Sequence, residues 1–316
     1  MRLLVLGGTA FLGRAVVQEA VGLGHQVTLF NRGVTSPELF AEVEKLRGDR
    51  GSDLSALDGR RWDAVIDVAA YTPDEAKRST EVLRGRVGRY VFVSTISVYA
   101  DHATTEAQLE DGALLVEVDA EDPGVRYGAR KAACEAMVRT AFPDACSIAR
   151  SGLIVGPHDP TDRFAYWPRR MAAGGRVLGP GHPEDPLQVI DVRDLAWWLV
   201  RCADGGPRGI FNVTGVPLPF AALLDACRVG GVEADVVWVA SDRLVEAGLA
   251  PWMGVPLWIT GAGWEAHNTV SVERALASGL DLRPLADTVA GARAHMSEVR
   301  APFTETLEAE ILERFA

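Results

Sequence analysis

Short apolar runs alternate with amphipathic stretches through the first half of the chain. LLVLG is followed by a helical period over 12–23, QVTLF by one over 37–45, WDAVIDVAA by one over 73–84, and RYVFVST, after a longer gap, by one over 125–141. Runs that are apolar throughout belong to strands buried on both faces, and helices between them make the crossovers of a parallel sheet. The pattern therefore predicts an α/β fold built on a Rossmann-like doubly wound parallel sheet. An antiparallel α+β arrangement would show cleaner polar alternation along its strands.

CSIAR, starting at Cys146, reads as one more strand, and beyond it the periodic pattern stops. Glycine, proline and aromatic residues crowd SGLIVGPHDPTDRFAYWPRR; then PLQVIDVRDLAWWLV reads as a strand feeding a helix, GIFNVTG as a strand, and FAALLDACRVGG as a helix stopped by glycines. The expected division is a dinucleotide-binding Rossmann domain over 1–155 and a mixed segment over 156–316. That second segment completes the sheet and forms a smaller C-terminal α/β substrate-binding cap.

Composition narrows the function. The chain has 316 residues, 48% hydrophobic and 24% charged, which is a globular balance. A formal net charge of -11 opposes any task of neutralising phosphates, so a small-molecule substrate is expected and no nucleic acid. Cys134, Cys146, Cys202 and Cys227 form no C-x-x-C pair, so no metal is expected and the thiols read as buried and reduced. The opening MRLLVLGG breaks at Gly7 and Gly8 too early for a leader and reads as a buried strand. No apolar stretch reaches the roughly 18 to 20 residues of a spanning helix, so no membrane partner is expected and the location reads as cytoplasmic.

GGTAFLG lies between the first strand and the first helix, where a dinucleotide fold holds its pyrophosphate against helix N–H groups. Gly7, Gly8, Thr9, Ala10, Phe11, Leu12 and Gly13 are thus candidate cofactor contacts, with Ala10 putting a methyl where the G-x-x-G-x-x-G pattern has its middle glycine. A tight turn with no ligand is the plainer alternative. An acidic residue after the second strand would bond the ribose 2′-hydroxyl of NAD; here stand Asn31 and Arg32. Arginine suits a 2′-phosphate, which favours NADP(H), with NAD(H) as the alternative. Farther on, Asp49 is placed to meet the adenine amino group and Arg50 to supply a second cation, in a stretch that also reads as a polar turn.

YGARK puts Tyr127 and Lys131 one helical turn apart on the same face. An ammonium there would draw the phenol down from its reference of about 10 and make it an acid or base near neutrality. Ser94, Thr95 and Ser97 follow the VFV strand at the sheet's carboxyl end, where open α/β sheets bind ligands.

These segments, with DVAA, RSGLIVGP, IDVRDLA, FNVTG and GLDLRPLADTV, resemble the extended short-chain dehydrogenase/reductases, also called the NAD-dependent epimerase/dehydratase family, over nearly the whole chain. The resemblance implies an NAD(P)-dependent oxidoreductase or epimerase in which Thr95 orients the substrate, Tyr127 transfers the proton, and Lys131 lowers its pKa and holds the nicotinamide ribose. It places Ala69, Ala70, Ser94 and Ser151 against the cofactor and Tyr71 and Ser97 against the substrate, and it implies a homodimer paired through the helices after the fourth and fifth strands.

Several positions depart from the family. Ile96 and Ser97 stand where family dehydratases carry an Asp-Glu pair, which argues against sugar 4,6-dehydration. Leu187 and Gln188 stand where nucleotide-sugar members carry a diphosphate-clamping arginine, with Arg163, Arg169 and Arg170 as candidate substitutes, and Ser151 replaces a proline. Tyr166, Trp167, Trp252, Trp258 and Trp264 are candidates for an apolar substrate pocket, although core positions suit any one of them equally. The expected function is reduction of a carbonyl or imine by NADPH with a proton from Tyr127. An NAD-retaining epimerase is the alternative, and a non-catalytic nucleotide sensor or RNA binder the remote one.

Overall fold

The computed structural model describes residues 1–103, 107–251, 254–259, 264, 266–296 and 301–315. Its first half runs β1 (Arg2–Leu6), α1 (Phe11–Gly22), β2 (Gln26–Asn31), β3 (Glu44–Arg47), β4 (Trp62–Asp67), α2 (Pro73–Leu83), β5 (Val87–Thr95), α3 (Pro123–Ala141) and β6 (Cys146–Ser151). Then follow β7 (Leu153–Val155), α4 (Tyr166–Ala173), β8 (Gly175–Pro180), β9 (Pro186–Leu187), β10 (Val189–Asp191), α5 (Val192–Ala203) and β11 (Gly209–Val213). The remainder is β12 (Leu218–Pro219), α6 (Phe220–Ala226), β13 (Ala234–Val239), α7 (Ser241–Glu246), α8 (Glu273–Ala277), α9 (Leu285–Ala294) and α10 (Glu305–Phe315).

The main sheet is parallel throughout, in the order β11-β6-β5-β4-β1-β2-β3. Strand order reverses between β1 and β4, and a crevice opens at their carboxyl ends, the switch point where doubly wound sheets bind ligands. Alternate residues of β1 serve the two faces. Leu3 and Val5 join the core with Val16 and Val17 of α1 and Leu195 and Leu199 of α5; Leu4 and Leu6 join Leu83 of α2 and Val138 of α3. Each such side chain, fully buried, stabilises by about 1.5–3 kcal/mol, which is why these strands carry no polar alternation.

The helix expected over 37–45 is absent. Residues 37–43 form turns, with Ser36 and Phe40 at φ of 41° and 57°, and 44–47 extend as β3 against β2. The left-handed backbone at Phe40 breaks a continuous helix, and the sheet edge takes up residues 44–47 instead.

A second core joins α4, β8, α6, β13 and α10 through Trp167, Leu178, Phe220, Leu223, Val239 and Ile311. The late LDLRP segment docks onto α5, where Arg283 donates from Nε and from its backbone N–H to Asp194 at 2.6 and 2.9 Å. Two of the family-like motifs therefore touch. All four cysteines are free and buried. Among the described residues no helix is long and apolar enough to cross a membrane.

Candidate active site

A cavity of about 590 Å³ runs along the carboxyl end of the sheet, from the glycine turn past the ends of β2 and β3 to Tyr127. Gly7 and Gly8 hold φ of 113° and 104°, which a side chain would strain. Gly13 matters for another reason: a Cβ there would lie 2.7 Å from the Gly8 nitrogen, so it lets α1 close onto the turn. Ala10 is the N-cap of α1, extended and exposed on the cavity wall, and it offers no side-chain cap; no acidic residue occupies the first turn. The first N–H groups of α1 are thus left for an anion, with the helix dipole behind them. α2, by contrast, closes its own start with a capping box from Thr72 and Glu75.

Thr9, Phe11, Leu12, Asn31, Arg32, Asp49, Ala69, Ser94 and Ser151 also line the cavity. Asn31 is fixed from two sides, donating to the Gly7 carbonyl and accepting from the Gly33 N–H, both at 3.0 Å. Arg50 lines the wall but is not a spare cation. Its guanidinium grips buried Asp67 at 2.7 and 2.8 Å and Ser79 at 2.8 Å, while Tyr90 donates to the same carboxylate at 2.7 Å. The hydroxyls of Ser94 and Ser151 are likewise engaged, by Glu135 at 2.5 Å and by the Ser94 carbonyl at 2.9 Å. Ala70 is buried outside the cavity lining, and its carbonyl accepts from Lys131.

Tyr127 sits in the first turns of α3, which starts at Asp122 as N-cap and Pro123 as first residue. Its hydroxyl chemistry differs from the sequence expectation. Burial, and next the neighbouring Tyr71, push the phenol above its usual value, while the Thr95 side chain pulls the other way. Lys131 does not reach out to lower it: its ammonium donates to the carbonyls of Ala70 and Val93 at 2.8 and 2.6 Å. Burial brings that ammonium down to about 8, against opposite pulls from Cys134, Asp67 and Glu135. Thr95 closes the group, its hydroxyl accepting from the Ser97 N–H at 3.2 Å at the end of β5.

Two supports of the site escaped the sequence reading. Gly128 lets α3 approach the turn after β5, and a Cβ there would lie 2.0 Å from the Ser97 carbonyl oxygen. Glu135 and Arg150 form a buried ion pair at 2.7 Å beneath Ser94, extended by Arg150 to Tyr99 at 3.2 Å. Helical spacing from Lys131 to Glu135 was the available signal for the second.

The residues expected around the substrate do not all converge. Tyr71 lines the cavity and Ser97 stands beside Thr95, but Tyr166, Trp167 and Trp258 lie in the second core, at 3%, 0% and 3% exposure. Trp167 and Trp258 donate from Nε1 to the Pro256 carbonyl and the Ser241 hydroxyl. Trp264 stacks on His102, and Trp252 lies outside the described residues. Two of the three candidate clamps are held in ion pairs. Arg169 is bidentate to Asp162 at 2.6 and 2.7 Å, Arg170 pairs with Glu308, and Arg163 donates to Thr161 at 3.0 Å. Gln188 is buried, bonded to Gly215 and Val270, and Leu187 is fully buried.

The family described as NAD dependent epimerase/dehydratase matches residues 3–214, two thirds of the chain. The chain belongs to that family. This epimerase/dehydratase-family protein is 28% identical over 251 residues to chloroplast stem-loop binding protein of 41 kDa b from Arabidopsis thaliana, covering 73% of the chain and 63% of the relative. It is 31% identical over 215 residues to 2′-dehydrokanamycin reductase from Streptomyces kanamyceticus, covering 65% and 56%. With 2-alkyl-3-oxoalkanoate reductase from Stenotrophomonas maltophilia it shares 30% over 260 residues, covering 74% and 78%. The match thus spans less than two thirds of the first two relatives. In fold it is similar to the Bordetella bronchiseptica enzyme WbmH solved with NAD+, at a TM-score of 0.68 and 17% identity, covering 94% of this chain and 98% of that one. It is similar also to Thermus thermophilus UDP-glucose 4-epimerase solved with NAD, at 0.65 and 20%, covering 93% and 99%. Membership rests on a match that takes in the glycine turn, Thr95, Tyr127 and Lys131.

Proposed function

We propose that the protein reduces a carbonyl or imine of a small molecule, taking hydride from NADPH and a proton from Tyr127. The observation that carries this reading is the placement of Tyr127 and Lys131 on the wall of the cavity that starts at the glycine turn, with the Thr95 side chain against the Tyr127 phenol. A phenol there is protonated at neutral pH and can give its proton to a substrate oxygen. Arg32, exposed on the cavity wall just after the position where NAD-selective sites place a carboxylate, supports NADP(H). The bound nicotinamide supplies the hydride. Thr95 orients the substrate oxygen, Tyr127 donates to it, and Lys131, anchored on Ala70 and Val93, offers its remaining proton toward the ribose.

The ion pairs of Arg169 and Arg170 and the buried bonds of Gln188 argue for a substrate without a nucleotide diphosphate. Two relatives named as reductases support the direction of reaction. The net charge of -11 supports a small-molecule partner over a nucleic acid.

Calorimetric titration with NADPH, NADP, NADH and NAD, after checking by absorbance for co-purified cofactor, tests the reading. Tight, exchangeable NADP(H) is expected; NAD that stays bound through purification would instead make the protein an epimerase. Arg32→Ala is expected to weaken NADP about tenfold, in the range of one charge-assisted contact, and NAD much less. Equal weakening of both would remove Arg32 from cofactor selection.

The pH dependence has a definite sign. Lys131 is charged below about 8 and loses its proton above it, while Tyr127 stays protonated to higher pH. In the direction of reduction kcat/KM is expected to be level near neutrality and to fall as pH rises past about 8. A profile level to pH of about 10, the ordinary phenol range, would separate Lys131 from the chemistry.

A further inference from the structure

We infer that Arg47, on the strand beside β2, is the second cation of the 2′-phosphate site and sets, with Arg32, the preference for NADP(H). This rests on the NADPH reading given above.

The position follows from strand register. β2 and β3 run parallel with Asn31 paired to Arg47, so the two residues end their strands side by side, Asn31 on the cavity wall and Arg47, exposed, next to it. The Arg47 guanidinium donates from Nη1 to the Asn31 side-chain oxygen and lies against Gly33. Gly33 has φ of 73°, and a Cβ there would come within 2.8 Å of the Arg47 Cζ, so glycine leaves the space the guanidinium fills. Asn31 in turn holds the Gly7 carbonyl. One amide thus ties the glycine turn to the arginine.

Charge makes this arrangement a binding site rather than a structural pair. Among the described residues no carboxylate lies within ion-pair reach of Arg32 or Arg47. The acid on β3, Glu44, is taken by Arg60 at 2.7 Å and Thr28 at 3.0 Å. Arg50, the cation the sequence offered, is neutralised by Asp67. A carboxylate at position 31 would neutralise Arg47 and accept from a ribose 2′-hydroxyl. The amide does neither, and leaves two exposed arginines around one edge with nothing to balance them. A guanidinium held by a single neutral acceptor keeps donors free for phosphate oxygens, which its fork geometry suits.

The test uses fragments that differ only in the 2′-phosphate: 2′,5′-ADP and 5′-AMP, titrated calorimetrically into wild type, Arg47→Ala and Arg47→Lys. Arg47→Ala is expected to weaken 2′,5′-ADP by about ten- to a hundredfold, the range of a charge-assisted contact, and 5′-AMP by less than about twofold. Arg47→Lys keeps the charge without the fork and is expected to fall between. If wild type prefers 2′,5′-ADP and Arg47→Ala preserves that ratio, Arg47 has no part in selection while the NADPH reading stands. If wild type binds the two fragments equally, the NADPH reading falls and this assignment with it.

Discussion

Tyr127→Phe is expected to lower kcat by about two to four orders of magnitude, the usual contribution of a positioned general acid, while NADPH affinity stays near that of wild type. The substitution removes one hydroxyl and keeps the ring. Thr95, the phenol's neighbour, keeps the Ser97 N–H as a partner, so no buried hydroxyl is orphaned and the fold has little reason to respond. The other proposed cofactor contacts lie on different elements: the glycine turn, the ends of β2 and β3, and Lys131, whose ammonium is held by the Ala70 and Val93 carbonyls and not by the phenol. A loss of turnover with retained binding therefore isolates the proton. Rates close to wild type would move proton donation to another group, and Tyr71, which also lines the cavity, would be the first to examine.

The fold was legible where one residue's burial decides its neighbour's. β1, β2, β4 and β5 are apolar on consecutive positions because both faces are covered, and that pattern needs no knowledge of partners. The glycine turn was legible for the same reason: Gly7, Gly8 and Gly13 answer to local backbone. Residues whose role depends on a distant partner were not. Arg50 reads as a free cation until Asp67, seventeen positions on, is seen beneath it. Arg47 reads as a surface charge until strand register sets it beside Asn31. Trp167 and Trp258 carry the composition of a binding pocket, and only packing assigns them to the second core. The spacing of Tyr127 and Lys131 put both on one cavity wall but did not give their electrostatics, because burial, and an ammonium turned onto the Ala70 and Val93 carbonyls, are invisible in a helical offset.

Gly128→Ala separates two physical effects of opposite sign. In the interior of α3, exchanging glycine for alanine gains roughly 0.5–1 kcal/mol of helix propensity, so a helix considered alone would be stabilised. The added Cβ, however, falls 2.0 Å from the Ser97 carbonyl oxygen, a backbone atom that no rotamer change can move. Relief requires α3 to shift away from the turn after β5, and overpacking of this kind costs about 1–3 kcal/mol. The clash therefore wins. The shift falls between Tyr127 and Thr95, the two hydroxyls whose juxtaposition the reaction needs, and a displacement near 1 Å can lower turnover about a hundredfold. Gly128→Ala is expected to show that loss in kcat together with a lowered midpoint of thermal unfolding, and near-normal NADPH binding. Gly22→Ala, at the far end of α1 with nothing within 4 Å of the new Cβ, serves as the control and is expected to leave kcat unchanged without lowering the unfolding midpoint. An alanine at 128 that stabilised the protein and left kcat intact would mean that α3 and the Thr95–Ser97 turn are free to separate without consequence for the chemistry.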